Sequence, residues 1–177
     1  AYIREQEVYL GMCKRWRAIP KPTIAQVHGA CIAGGLMLAW VCDLIIASDD
    51  AFFQDPVLQM GFPGVEYFAH AHELNPRIAK EFLFLGERMP ASRAYEMGMV
   101  NAVVPHAKLE ETAFSWAKEI MTKSPTAIKM LKFGFNLIDD GLVGQQVYAG
   151  EATRLAYGTE EAKEGRDAFL EKRPRDF

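Results

Sequence analysis

Cysteine is scarce in this chain of 177 residues, which has only Cys13, Cys31 and Cys42. The count is odd, and the sequence contains no CxxC motif and no cysteine and histidine spacing that is typical of zinc sites. A disulfide-stapled scaffold and a structural zinc site are therefore disfavoured. Free, buried thiols are typical of a reducing compartment, so we expect a cytoplasmic protein.

The chain also lacks an excess of positive charge. Lysine and arginine number 20 against 23 aspartates and glutamates, a formal net charge of -3. Long-range attraction to phosphate backbones or anionic lipid needs a basic surface. We therefore expect neither nucleic acid nor a membrane as partner, and predict a protein that acts on a small molecule.

No uninterrupted hydrophobic segment is long enough to span a bilayer. The most apolar stretch, residues 30–47, contains Gly34-Gly35 and Asp43, and an aspartate at the centre of a membrane helix costs about 2.5 to 3.5 kcal/mol. Residues 1–7 have neither an apolar stretch nor a small-residue cleavage site, so we expect no secretory signal. The chain does not begin with Met, so its first residue need not be the biological start.

The hydrophobic pattern predicts an α/β fold whose second half is mostly helical. Short β-branched runs predict strands, and apolar residues at helical spacing between capping signals predict helices. The predicted strands are residues 23–27, 43–47, 51–53 and 100–104. The predicted helices are residues 4–18, 36–42, 64–73, 76–86, 91–98, 108–122, 125–140, 143–157 and 160–172, the first of them with Val8, Met12 and Trp16 as its apolar stripe.

A glycine pair, Gly34-Gly35, stands between a predicted strand and a predicted buried helix. The first N–H groups of a helix have no acceptor within it, and glycine lets a ligand oxygen approach them closely. Such donors stabilise the oxyanion of an acyl-transfer or enolate reaction. The same pair is also compatible with nothing more than close packing of helix on strand.

Several motifs together resemble the crotonase (enoyl-CoA hydratase/isomerase) superfamily, in the same order and over nearly the whole chain. They are residues 19–29 (IPKPTIAQVHG), 33–35 (AGG), 42–47 (CDLIIA), 51–56, 61–64 (GFPG), 79–81, 98–105 and 168–173 (AFLEKR). The resemblance implies a partial crotonase core of ββα spiral type in residues 1–86. It also implies a C-terminal helical trimerisation region in residues 87–177.

The resemblance further implies an acyl-CoA thioester as substrate and a homotrimer or a dimer of trimers. It implies no cofactor other than the coenzyme A of the substrate. Gly34 corresponds to the second oxyanion N–H of the family, and Gly35 is expected at the substrate. Family members begin with a further segment that supplies the first oxyanion N–H and much of the CoA surface, and nothing in this sequence corresponds to it.

Both glutamates that family hydratases use are replaced here. By the resemblance they correspond to Met37 and Val57, which are expected to line the acyl pocket. Neither side chain can move a proton, so we predict that the reaction is not ordinary hydration. The alternative is a non-catalytic homologue that binds acyl-CoA or forms oligomers.

Three nearby residues are candidates for a displaced acid or base. Asp55 precedes Val57 by two positions and shares its face if the strand stays extended through Pro56. Glu66 and His70 are four residues apart on a predicted helix, where they can share a proton. Alternatively, Glu66 is a first-turn acid and His70 is a solvated histidine.

Two further features close the set of candidate site residues. A metal site formed by Glu66, His70 and Glu73 at i, i+4 and i+7 is sterically allowed but disfavoured. Phe169 and Lys172 match C-terminal family residues that reach CoA at a subunit boundary. The other interpretation of Phe169 and Lys172 is an ordinary amphipathic helix end.

Overall fold

The computed structural model describes residues 2–60, 67–156, 158–174 and 176. Eight helices are formed by its described residues: α1 Tyr2–Arg17, α2 Gly34–Trp40, α3 His70–Glu73, α4 Pro76–Leu85, α5 Ala91–Glu96, α6 Leu109–Met121, α7 Pro125–Ala156 and α8 Glu160–Glu171. The six strands are β1 Ile24–Val27, β2 Ala30–Ile32, β3 Leu44–Ser48, β4 Phe52–Gln54, β5 Met89–Pro90 and β6 Ala102–Val104. Val57–Met60 and His106–Lys108 form short 3₁₀ turns.

The strands form two three-stranded sheets, ordered β1-β3-β6 and β2-β4-β5. The first sheet is parallel throughout, and in the second β2 pairs parallel with β4 while β5 pairs antiparallel. Each consecutive pair, β1 with β2 and β3 with β4, therefore places one strand in each sheet. This alternation winds the chain as a spiral of ββα units.

A tight turn at Gly29 makes the first change of sheet. Gly29 has φ 58°, a left-handed conformation that costs glycine little. Its carbonyl accepts a hydrogen bond of 2.9 Å from the N–H of Phe52, which starts the neighbouring strand. The turn therefore also sets the register of β2 against β4.

The hydrophobic core lies beside the sheets. A large cluster joins the inner faces of β1 to β4 to α2, α4 and α5, with Leu36 and Phe53 fully buried. A smaller cluster packs α6 on the first sheet through Ile46, Leu109 and Ala113. The apolar run that resembles a membrane segment in composition is thus core, and none of the described helices has the length and apolarity to cross a bilayer.

The chain divides into two compact units, Ala1–Pro125 and Thr126–Phe177. In the second unit, α7 is interrupted at Gly141, whose φ of 56° and ψ of -129° are not helical. The two helices predicted on either side of this residue are confirmed. The boundary expected near residue 86 was defined by a different criterion, the separation of a core from a region that forms oligomers. Contacts within one chain do not test oligomerisation, so this boundary stays a prediction.

Some predicted elements differ from those observed. The helix predicted over residues 64–73 is wrong at Tyr67 to Ala69, which are not helical, and residues 61–66 lie outside the described part. Strands β2 and β5 were not predicted, since two or three residues show no alternating pattern. On α1 the expected apolar stripe is displaced, because Val8 and Trp16 are exposed whereas Cys13 is buried.

Candidate active site

Gly34 begins α2, and the residue before it holds an unusual conformation. Ala33 has φ 46° and ψ -104°, a conformation that residues other than glycine rarely adopt. Its N–H donates to the carbonyl of Gln54 in β4 at 3.1 Å, and its carbonyl accepts from the N–H of Met37 at 3.0 Å. These two bonds hold the strained residue in place, and strain of this kind is concentrated at functional sites.

The first N–H groups of α2 have no acceptors within the helix. In an α-helix each N–H bonds to the carbonyl four residues earlier, so those of Gly34, Gly35 and Leu36 have none. Gly34 is partly buried and Gly35 is exposed. An anionic oxygen is the chemical group that such a helix start accommodates.

A small apolar cluster adjoins this helix start and contains the two residues that replace the hydratase glutamates. Met37 and Val57 are buried together, with relative exposures of 2% and 8%. Tyr9, Ala33 and Tyr67 pack against them. The backbone N–H of Tyr67 donates to Met37 Sδ at 3.3 Å. The structure therefore brings Gly34, Met37 and Val57 to one place, with apolar side chains at the two positions.

Asp55 and His70 form a second, fully buried arrangement directly behind Val57. Asp55 Oδ2 and His70 Nε2 are 2.8 Å apart, and the two side chains are 0% and 1% exposed. The other carboxylate oxygen, Oδ1, accepts a long hydrogen bond of 3.4 Å from the N–H of Val57. The carboxylate thus links α3 to the residue that lines the apolar cluster.

Aromatic rings surround the imidazole of His70. Trp40 meets it edge-on with ring centroids 4.7 Å apart, and Phe68 and Phe82 lie at 4.9 and 6.2 Å. When the carboxylate is ionised it only accepts hydrogen bonds, and Nε2 is then the donor between the two residues. Among the described residues, His70 Nδ1 and Trp40 Nε1 are buried side-chain nitrogens without a hydrogen-bond partner.

Two interpretations of these residues need correction. His70 is not a solvated histidine, because it is buried among rings, and its contact is with Asp55. Strand β4 ends at Gln54, so Asp55 and Val57 do not alternate along one strand, and Asp55 enters the core instead. Glu66, the expected partner of His70, lies outside the described residues.

The remaining candidates are Phe169 and Lys172, which lie in the second unit, and the expected metal site. Phe169 is 76% exposed and, with the left-handed residue Lys172, borders an open groove at the end of α8. Their expected contact with CoA stays a prediction. Across residues 2–60, 67–156, 158–174 and 176, no three histidine, cysteine or acidic side chains are close enough to hold a metal ion.

Tyr9 and Trp40 are site residues that the sequence did not single out. A methyl group built on Gly34 would lie 3.4 Å from the hydroxyl oxygen of Tyr9. The available signal was the i, i+4 spacing of Tyr9 and Cys13, both turned inward on α1. It is obscured by the more apolar spacing of Val8, Met12 and Trp16.

The spiral of ββα units, with an apolar cluster beside the start of α2, defines the crotonase-like class of α/β proteins, as expected. The sequence profile described as enoyl-CoA hydratase/isomerase matches residues 3–177. The chain belongs to the enoyl-CoA hydratase/isomerase family.

Two curated relatives are named 1,4-dihydroxy-2-naphthoyl-CoA synthase. The 1,4-dihydroxy-2-naphthoyl-CoA synthase of Mycobacterium tuberculosis (strain CDC 1551 / Oshkosh) is 51% identical over 164 residues, 91% of this chain and 52% of the relative. That of Mycolicibacterium smegmatis is 52% identical over 164 residues, 91% of this chain and 53% of the relative. The chain spans about half the length of these curated relatives.

A solved structure shows the same fold. A probable enoyl-CoA hydratase from Mycobacterium thermoresistibile has a TM-score of 0.75 and 46% identity, over 84% of this chain and 64% of that one.

Proposed function

We propose that the full-length protein binds an acyl-CoA thioester and stabilises the enolate of its thioester carbonyl at the Gly34 N–H. Membership of the family supports this substrate class. Relatives of this chain are named 1,4-dihydroxy-2-naphthoyl-CoA synthase, and the compound in that name is a CoA thioester. Coenzyme A enters as part of the substrate, and no separate cofactor is proposed.

The burial of Met37 beside Val57 is the observation that carries the rest of the proposal. Hydration of a double bond requires groups that position a water and transfer its proton. A thioether and an isopropyl group at the two positions do neither, and they exclude water from the cluster. The proposed reaction therefore passes through an enolate intermediate and does not require a pair of glutamates.

The apolar and aromatic side chains of this cluster favour an aromatic acyl group as ligand. Apolar and aromatic side chains with few polar groups bind flat, apolar ligands, and Tyr9, Met37, Val57 and Tyr67 are of this kind. We propose the formation of 1,4-dihydroxy-2-naphthoyl-CoA, or of a similar aromatic acyl-CoA, as the reaction.

Two measurements on the full-length protein test the reaction. Crotonyl-CoA, followed by loss of the conjugated thioester absorbance, is expected to be hydrated very slowly or not at all. Expression in a bacterial strain whose 1,4-dihydroxy-2-naphthoyl-CoA synthase gene has been removed is expected to restore formation of that thioester. A conventional hydratase rate without restoration contradicts the proposal.

Replacing the Gly34 amide by an ester tests the oxyanion donor. A proline there removes the N–H but forces the preceding residue into an extended conformation, which Ala33 does not have. Glycolic acid at position 34 removes the donor and keeps the backbone shape, while it weakens the Ala33 carbonyl as acceptor for the Met37 N–H; a loss of about 10²-fold in turnover is expected. The same ester at Gly35 is the matched control, and an equal loss at both positions contradicts the assignment to Gly34.

A second candidate function is a non-catalytic subunit that binds acyl-CoA. The absence of a carboxylate from the described lining of the cluster favours it. Tight binding of acyl-CoA, with neither hydration nor restored synthase function, distinguishes this candidate from the enzyme.

A further inference from the structure

We propose that the Tyr9 hydroxyl donates a hydrogen bond to the thioester oxygen of the bound acyl-CoA, beside the Gly34 N–H. This inference rests on the proposed function, since it names a further residue of the same site. It assigns to α1 a polar contact with substrate that sequence patterns do not reveal.

The position of the hydroxyl carries the inference. Its oxygen lies 3.4 Å from where a Cβ of Gly34 would be, and the adjacent ring atom Cε1 lies at 3.9 Å. The ring packs against Met37 and Val57 and is partly buried. Tyr9 therefore presents its hydroxyl to Gly34 while the rest of its side chain packs on the apolar cluster.

The hydrogen bonding of the Tyr9 hydroxyl supports a contact with a ligand. Among the described residues, no hydrogen bond of the Tyr9 hydroxyl is found. A tyrosine hydroxyl at the border of an apolar cluster is stabilised when the oxygen of a ligand accepts its hydrogen bond. The oxygen of a thioester or enolate at Gly34 is such an acceptor.

The neighbours of Tyr9 define its place in the chemistry. Met37 and Val57 offer no proton, and the carboxylate of Asp55 faces His70 and the N–H of Val57 instead. Tyr9 and Tyr67 are the described members of the apolar cluster that carry a hydroxyl, and the Tyr9 hydroxyl lies beside Gly34. A donor of this kind acts more strongly on an enolate oxygen than on a neutral carbonyl, because the charge on the oxygen grows.

Infrared spectroscopy of bound benzoyl-CoA, labelled with ¹³C at the thioester carbonyl, tests the contact in the full-length protein without requiring turnover. In the unsubstituted protein we expect the carbonyl band at a lower frequency than in free benzoyl-CoA, because hydrogen bonds polarise the carbonyl. Tyr9→Phe keeps the ring and removes the donor, and it should return part of this shift. Tyr95→Phe, at an exposed tyrosine of α5, is the matched control and should leave the band unchanged.

Turnover and packing variants complete the test. Where synthase activity is present, Tyr9→Phe is expected to lower kcat about 10²-fold with little change in KM. Tyr9→Leu removes hydroxyl and ring together, so a loss in Tyr9→Leu but not in Tyr9→Phe assigns the residue to packing and overturns the inference. An unchanged carbonyl band in Tyr9→Phe also overturns it and leaves the proposed function intact. Failure of the unsubstituted protein to bind any acyl-CoA overturns the proposed function, and this inference with it.

Discussion

At the scale of single residues, Asp55 and His70 are the most consequential polar pair of the core. Both are fully buried, and they meet through Asp55 Oδ2 and His70 Nε2, while His70 Nδ1 has no hydrogen-bond partner among the described residues. A buried charge that loses its partner is far more costly than a buried apolar pair of similar volume. The pair therefore contributes to the uniqueness of the fold around Val57 rather than to a large net stability.

His70→Leu in the full-length protein is expected to destabilise it by about 3 to 5 kcal/mol, because the Asp55 carboxylate is left buried without its partner. The free energy of unfolding of the double variant Asp55→Leu/His70→Leu should fall by much less than the sum of the losses in the two single variants. Urea unfolding midpoints of the four proteins measure this coupling. Strictly additive losses would show that the two side chains do not depend on each other.

Ala33 offers a second residue-scale prediction. Its positive φ costs about 1 to 3 kcal/mol in a residue with a Cβ. Ala33→Gly is therefore expected to raise the free energy of unfolding by about 1 kcal/mol, after the entropic cost of glycine is subtracted. Ala79→Gly, in the regular helix α4, is the control and should lower it. Thermal unfolding checks both, and a loss in Ala33→Gly contradicts the strain.

Burial raises the pKa of the Cys31 thiol from an ordinary 9.0 to about 12. The neutral thiol is favoured by the fold, so the associated stability is complete below pH 9 and is lost as the pH rises towards 12. Since the thiolate is the reactive form, Cys31 should resist iodoacetamide at pH 8 in the native protein and react after unfolding. Mass spectrometry of the labelled peptides checks this, with the less buried Cys42 as the internal comparison.

At the scale of secondary structure elements, a charged clamp closes the end of α8. Arg173 reaches back to Glu164 through two parallel bonds of 2.5 and 2.7 Å, and its Nε donates to Glu171 at 2.6 Å. The backbone N–H of Asp176 also donates to Glu164. Bidentate arginine and carboxylate pairs have a defined geometry, so the clamp fixes how the chain leaves the helix.

The Arg173 guanidinium and the Asp176 N–H lower the pKa of Glu164 from 4.5 to about 2. A lowered pKa means that the contribution of the clamp is present above pH 4.5 and is lost as the pH falls towards 2. Arg173→Gln should return the pKa of Glu164 towards 4.5, as followed by NMR of its carboxyl carbon. Arg166→Gln, which removes the partner of Asp167, is the control, and an unshifted Glu164 in Arg173→Gln contradicts the clamp.

At the scale of the whole molecule, an exposed apolar stripe on α7 is relevant to the oligomeric state. Leu131, Phe135 and Ile138 lie on one face of α7 at i, i+4 and i+7, and they are 63%, 70% and 78% exposed. Such a stripe is typical of a helix that packs against another chain. We therefore keep the homotrimer, or a dimer of trimers, as the proposed assembly.

Sedimentation of the full-length protein at micromolar concentration is expected to show a trimer or hexamer. The double variant Phe135→Glu/Ile138→Glu should shift it to smaller species, because charges replace the exposed apolar stripe. Lys118→Glu, on α6 in the other unit, changes surface charge without touching the stripe and should leave the assembly unchanged. A stable monomer of the unsubstituted protein contradicts the proposal.

The sequence by itself determined the features that depend on local chemistry and on motifs in order. The predicted helices after Asn75 and Thr159 were right because each cap residue satisfies backbone N–H groups next to it, as the structure confirms. The absence of glutamate at positions 37 and 57 is likewise a property of the sequence. The family follows from these motifs, since they extend over most of the chain.

Only the tertiary structure decided which distant residues meet. Asp55 and His70 are fifteen residues apart, and their contact depends on how the chain returns after β4, which no local pattern encodes. Tyr9 reaches Gly34 because α1 turns its less apolar side inward, against the preference that hydrophobic periodicity alone indicates. Strands as short as β2 and β5 exist because neighbouring strands supply their hydrogen bonds, so their stability comes from the sheet and not from their own residues.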